Sequence, residues 1–130
     1  MTETSREWTV FSAQCPSRAS LARIANKWTA MIVILLDEEP RRFGELHRQV
    51  EGITKKVLID SLRALERDGM VERVEQEHAR YQLTALGRTL NEPLQALRVW
   101  AESYVDDVQA AQDRYDDAAD DRTLRRISND

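Results

Sequence analysis

Two short apolar stripes at helical spacing, separated by a tight glycine turn and followed at once by a change of period, constrain this chain more than any other feature. Phe43, Leu46 and Val50 form the first stripe, and Glu51-Gly52 closes it, because glycine readily takes the left-handed conformation that ends a helix. Thr54 is placed to cap a second helix whose stripe is Leu58, Leu62 and Leu65, and Asp68-Gly69 stops it. After Gly69 the apolar period falls from that of a helix to that of a strand. Residues 70–74 and 80–84 read as strands around residues 75–79, which predicts a small antiparallel hairpin with no Asn-Gly or Asp-Gly pair to define its tip.

Two short helices joined by a tight glycine-containing turn are the helix-turn-helix arrangement, and its flanks are helical too. Upstream, Leu21, Ile24, Ala25, Trp28, Met31, Ile32 and Leu35 recur at three- and four-residue steps. They predict one or two helices, begun at Pro16 and Ser17, broken at Asn26 and ended by Pro40. Downstream, Leu86, Leu90, Leu94, Leu97, Trp100, Ala101, Tyr104 and Val108 predict a long helix kinked at Pro93. Residues 109–130 are rich in Ala and Asp with few large apolar side chains, so a frayed, partly disordered acidic extension is expected there. The fold class is therefore mainly α with a small β-hairpin. With 130 residues the chain is one folding unit, organised as an arm over 1–14, a domain over 15–108 and the extension over 109–130.

A formal net charge of -4 argues against nucleic acid until its distribution is read. Residues 101–130 hold 4 basic and 9 acidic side chains, whereas residues 41–67 hold seven basic against four acidic ones. The acidity belongs to the tail, and a basic face lies mid-chain. With the leucines of the second short helix pointing inward, Lys56, Asp60, Arg63 and Arg67 fall on its opposite side. Thr54 and Lys55 lie at its N-terminal end, where free N–H groups and a partial positive charge suit a phosphate. A helix laid in the major groove uses its N-terminal residues on base edges while flanking Lys and Arg neutralise the backbone. A solvated surface helix would also be basic and amphipathic; the hairpin that follows favours DNA.

The blocks Cys15-Pro16, Asn26-Lys27-Trp28, Arg42-Phe43-Gly44-Glu45-Leu46, Gly52-Ile53-Thr54, residues 62–69 and residues 81–87 stand in an order that resembles the HxlR-type transcriptional regulators, winged-helix relatives of the MarR group. The resemblance covers residues 13–104. It implies a winged helix-turn-helix with a long C-terminal dimerisation helix, and a homodimer on a pseudo-palindromic operator in double-stranded DNA. Residues 54–67 would be the recognition helix and the hairpin a wing. The implied DNA-contacting set is Thr54, Lys55, Lys56, Asp60, Arg63, Arg67, Arg42 and Arg80. Leu90, Leu94, Leu97, Trp100 and Tyr104 would meet the partner subunit. The chain departs from the family pattern at Asp60 and Ser61, where polar or basic residues are frequent; an acid there repels phosphate and can accept a hydrogen bond from cytosine. The wing carries Glu72, Glu75 and Glu77 against Arg73 and Arg80 and lacks a proline near its tip, which leaves Arg80 and His78 to make its phosphate contacts.

Cys15 matches the N-terminal cysteine through which some members of that family respond to oxidants or electrophiles, and a helix start beside it would lower its pKa; packing as a small apolar residue is the alternative. With one cysteine and only His47 and His78, neither an internal disulfide nor a zinc site is expected, and no cofactor is implied. A cysteine-centred enzyme would need a histidine beside Cys15, and both histidines lie elsewhere in the pattern, so no catalytic residue is assigned. Trp8, Trp28, Trp100 and Tyr104 either line an apolar small-molecule effector pocket or anchor core and interface. The longest apolar stretch, residues 31–36, is too short to cross a bilayer, and a cytoplasmic protein is expected. The function read from the sequence is a DNA-binding regulator, a repressor relieved by Cys15 modification or by an effector. The alternative is a protein interaction module that has lost DNA binding.

Overall fold

The computed structural model describes residues 8–74 and 79–129. Cys15, in extended conformation, precedes Pro16, the first residue of α1 (Pro16–Ile24), where a missing N–H forfeits no helical bond. Asn26 does more than break the helical pattern. Its Oδ1 accepts from the backbone N–H of Trp28 at 2.9 Å and of Thr29 at 3.4 Å, which caps α2 (Lys27–Glu38). α2 buries Ile32, Val33 and Leu36 and stops just before Pro40.

A short strand that the sequence does not predict follows, β1 (Arg41–Arg42), because two residues are too few to display a period. α3 (Phe43–Gln49) and α4 (Lys55–Arg67) come next, with Gly52 between them at φ +89° and Gly69 after them at φ +77°. Both glycines occupy the left-handed region where a side chain is strained. β2 (Val71–Val74) and β3 (Arg80–Leu83) pair antiparallel with Val71 opposite Leu83 and Val74 opposite Arg80. β1 adds to the other edge of β3, so the expected two-stranded hairpin is a three-stranded sheet of order β1-β3-β2. Met70 and Thr84, expected at the strand ends, fall just outside the strands, though the Thr84 N–H still donates across to the Met70 carbonyl at 3.0 Å. The hairpin tip, with Glu75, Glu77 and His78, lies outside the described residues, as does the start of the N-terminal arm.

The single kinked helix expected around Pro93 is two helices. Thr84 Oγ1 accepts from the Gly87 N–H to cap α5 (Ala85–Arg88), and after a turn at Thr89 and Leu90 the chain enters α6 (Asn91–Asn129). Pro93 falls in the first turn of α6, where its ring breaks nothing, so the kink is replaced by a helix start. The backbone remains helical through residues 109–129, for which the sequence predicts fraying; that segment contains no Gly or Pro, and its large apolar residues Tyr115, Leu124 and Ile127 are exposed.

The chain divides into two units, Met1–Leu94 and Gln95–Asp130. In the first, both apolar stripes of the helix-turn-helix turn inward: Leu46, Val50, Leu58, Leu62 and Leu65 pack with Ile32, Val33, Leu36, Ile53, Val71, Leu83 and Leu94. Full burial of a leucine stabilises by about 1.5–3 kcal/mol, so the α4 stripe anchors that helix strongly enough to leave its other face free of packing duties. Gly87 closes the arrangement, since a Cβ there would lie 2.1 Å from the Met70 carbonyl oxygen. Among the described residues, no single helix is long and apolar enough to cross a membrane.

Candidate nucleic-acid interface

α4 starts where Thr54 Oγ1 accepts from the Val57 N–H at 3.1 Å, so the Thr54 side chain is used first as a helix cap. Lys55, Lys56, Asp60, Arg63 and Arg67 are exposed, as the stripe arithmetic requires. Lys56 Nζ lies 3.4 Å from Asp60 Oδ2, an i,i+4 pair in solvent that holds neither group tightly. Lys55, Arg63 and Arg67 make no ion pair among the described residues. Ile59 is exposed between them, a β-branched apolar residue on a polar face that sequence reasoning missed; its departure from the leucine stripe was the available signal.

A second basic cluster forms where β1 meets β3. Arg42 and Arg80 are partners in the β1–β3 register, and Arg48 of α3 joins them around a groove of about 360 Å³ that Gly44 and Glu45 also line. Arg48 was not singled out from sequence, because only the β1–β3 pairing brings Arg80 to it. None of the three guanidinium groups has an ion-pair partner among the described residues. The Arg42 N–H donates to Glu45 Oε1 at 2.9 Å. That bond, together with the charges of Arg42, Arg80 and Arg41, holds the Glu45 carboxyl below the usual carboxylate range against the opposing effect of burial.

Arg41, adjacent in sequence, has a different task. Strand alternation turns it inward, where its guanidinium donates to Glu38 Oε1 at 2.7 Å and to the Leu35 carbonyl at 3.4 Å. On the wing, Gln82 Nε2 donates to Glu72 Oε1 at 2.7 Å and Arg73 lies over the Tyr81 ring, 5.9 Å from its centroid.

Cys15 is buried at the N-cap of α1, with its Sγ 2.8 Å from Ser17 Oγ. Burial raises the thiol, but hydrogen bonds from the Ser17 side chain and from backbone groups at Ser17, Thr9 and Arg18 outweigh it, leaving the pKa below that of a free cysteine. Of the five residues expected at a subunit contact, Leu94 is buried and Leu90 half-buried in the chain's own core. Leu97, Trp100 and Tyr104 are exposed, the last two with ring centroids 5.9 Å apart. Trp8 is exposed, while Trp28 packs against the core with the Lys27 ammonium 4.4 Å above its ring.

Comparison with known proteins matches residues 23–109 to the HxlR-like helix-turn-helix family. The uncharacterized HTH-type transcriptional regulator YtfH of Escherichia coli K12 is 37% identical over 112 residues, covering 83% of this chain and 89% of the relative. The solved structure of the transcriptional regulator YtfH from Salmonella typhimurium superposes with a TM-score of 0.77 at 35% identity, covering 82% of this chain and 99% of that one. The redox regulator HypR in its reduced form superposes with a TM-score of 0.66 at 32% identity, covering 73% and 98%.

Proposed function

The chain belongs to the HxlR-like helix-turn-helix family, whose members are transcriptional regulators and not enzymes, and from that premise we propose that it binds double-stranded DNA as a homodimer and represses by covering a promoter. α4 enters the major groove. Lys55, Lys56, Arg63 and Arg67 meet phosphates and base edges, Ile59 meets a thymine methyl, and Asp60 accepts from a cytosine amino group. Arg42, Arg48 and Arg80 hold the flanking backbone. The observation that carries this reading is that these three guanidinium groups converge on one groove with a single carboxylate, Glu45, against them and no ion pair among them, beside a helix whose exposed face is basic. Charges left unpaired together repel one another unless an anion joins them, and a duplex presents a phosphate every few ångströms. The partner subunit packs on Leu97, Trp100 and Tyr104, which sets two copies of α4 at half-sites about 34–36 Å apart.

A titration of the full chain against fragments of its own upstream region at two salt concentrations tests the proposal. One fragment should bind far more tightly than bulk DNA, and Arg63→Ala should cost about 1–3 kcal/mol on it. Arg42→Ala, Arg48→Ala and Arg80→Ala should each flatten the salt dependence by about 0.9 in log–log slope. Equal affinity for every sequence, or none for any, would favour a protein interaction module instead.

A second reading concerns control. The lowered Cys15 pKa favours the reactive thiolate, and the similar HypR is named a redox regulator, which supports thiol oxidation or alkylation as the event that releases DNA.

A further inference from the structure

On the side of α4 that carries Asp60, Ser61 and Ala64, α1 and α2 border a cleft of about 420 Å³, of whose lining the DNA reading uses Asp60 alone. Its size follows from its walls. Ala19 and Ala22 of α1 line it together with Ala64 of α4, and small side chains on neighbouring helices leave a gap that larger ones would close. The volume lies within the range of small-molecule sites, roughly 300–1,000 Å³.

Two observations distinguish it from a packing defect. Thr29 lines the cleft at only 5% exposure, and its hydroxyl has no hydrogen-bond partner among the described residues. Its oxygen is not sealed from solvent, so the hydroxyl is reachable from the cleft and a ligand can bond to it in place of water. Arg23, also in the lining, is anchored by its Nε to Asp68 Oδ2 at 2.5 Å, at the C-cap of α4. The anchor fixes the guanidinium while its terminal N–H groups remain uncommitted.

The chemistry of the lining selects the ligand. Arg23 and Thr29 can donate, and Asn26, whose Oδ1 is occupied in capping α2, has only its amide N–H groups left to offer. These donors suit a carboxylate. The one anion among the lining residues, Asp60, is shared only with Lys56 in solvent and suits an ammonium group. Arg23, Asp68, Asp60 and Lys56 together sum to zero charge, so a net-neutral ligand with both groups is desolvated at least cost. We propose that this cleft binds a free α-amino acid, carboxylate toward Arg23 and ammonium at Asp60. The ligand ammonium takes the Asp60 carboxylate that would otherwise accept from a cytosine amino group, so occupancy weakens duplex binding. That coupling, unlike the site itself, rests on the DNA reading.

Thermal unfolding of the full chain with each of the twenty amino acids at about 10 mM tests the site without DNA, since a ligand that binds only the folded state raises the midpoint. At least one should stabilise the chain. Asp60→Asn and Thr29→Val should each weaken it at least about ten-fold, and Ala22→Met, which fills the cleft from an exposed position, should abolish it. The site is overturned if no amino acid exceeds the effect of equimolar sodium chloride, if Asp60→Asn and Ala22→Met respond like the unaltered chain, or if the deaminated acid or the decarboxylated amine stabilises equally well. In a duplex titration the same amino acid should lower affinity several-fold; stabilisation by the ligand in a chain that binds no duplex would refute the DNA reading and leave the site standing.

Discussion

Cys15 shows how two opposing effects are weighed at a single atom. Burial favours the neutral thiol, and the Ser17 hydroxyl with three backbone contacts favours the thiolate; the hydrogen bonds prevail. Because only the thiolate is nucleophilic, a depressed pKa moves the curve of alkylation rate against pH toward lower pH. Iodoacetamide labelling should therefore reach half-maximal rate below the pH required by free cysteine. Ser17→Ala should move that midpoint upward, and Cys15→Ser should block any loss of DNA binding caused by peroxide. A midpoint at or above that of the free thiol would remove the basis for thiol control. Arg41 and Arg42 make the complementary point, for they are chemically identical neighbours with opposite roles. Their fates were illegible in the sequence because the alternation that separates them needs β3 as a partner.

Among elements, the helix-turn-helix was the most legible. Its apolar stripes, the Thr54 cap and the glycines at φ +89° and +77° each follow from local rules that no distant contact overrides. Where elements meet at close range the sequence said less. α5 is held against the Met70 backbone by the absence of a side chain at Gly87, a constraint visible only once the two segments are adjacent. Gly87→Ala forces a methyl group into that carbonyl and should destabilise by about 1–3 kcal/mol, read as a lower midpoint in urea with an unchanged slope. A variant as stable as the parent would mean that α5 can shift at little cost. Pro93 was misplaced for a related reason: a proline reads as a kink or as a helix start according to where the previous helix ends, and Thr84 and Thr89 decide that.

For the whole molecule, the net charge of -4 misleads because it averages an acidic segment over residues 101–130 with a basic centre. Leu97, Trp100 and Tyr104 stand exposed on α6 at spacings of three and four residues, a pattern that a surface helix rarely keeps unless something covers it. Sedimentation of the purified chain should give a dimer. Leu97→Asp should shift it toward monomer and weaken operator binding more than binding to a single half-site, because only the dimer reaches both. A parent chain that sediments as a monomer would remove the half-site spacing and with it the reason for a pseudo-palindromic operator.

What the sequence determined alone was everything written in short-range rules: helix caps, turn glycines, the change of period after Gly69 and the side of α4 that carries charge. The joining of Arg42, Arg48 and Arg80 around one groove, the division of labour between Arg41 and Arg42, and the cleft floored by Thr29 came only with the tertiary structure. The physical reason is one of range. Periodicity fixes which way a side chain faces within its own element, whereas convergence of charges from separate elements depends on which strands pair and how closely helices pack, and no local pattern encodes that distance.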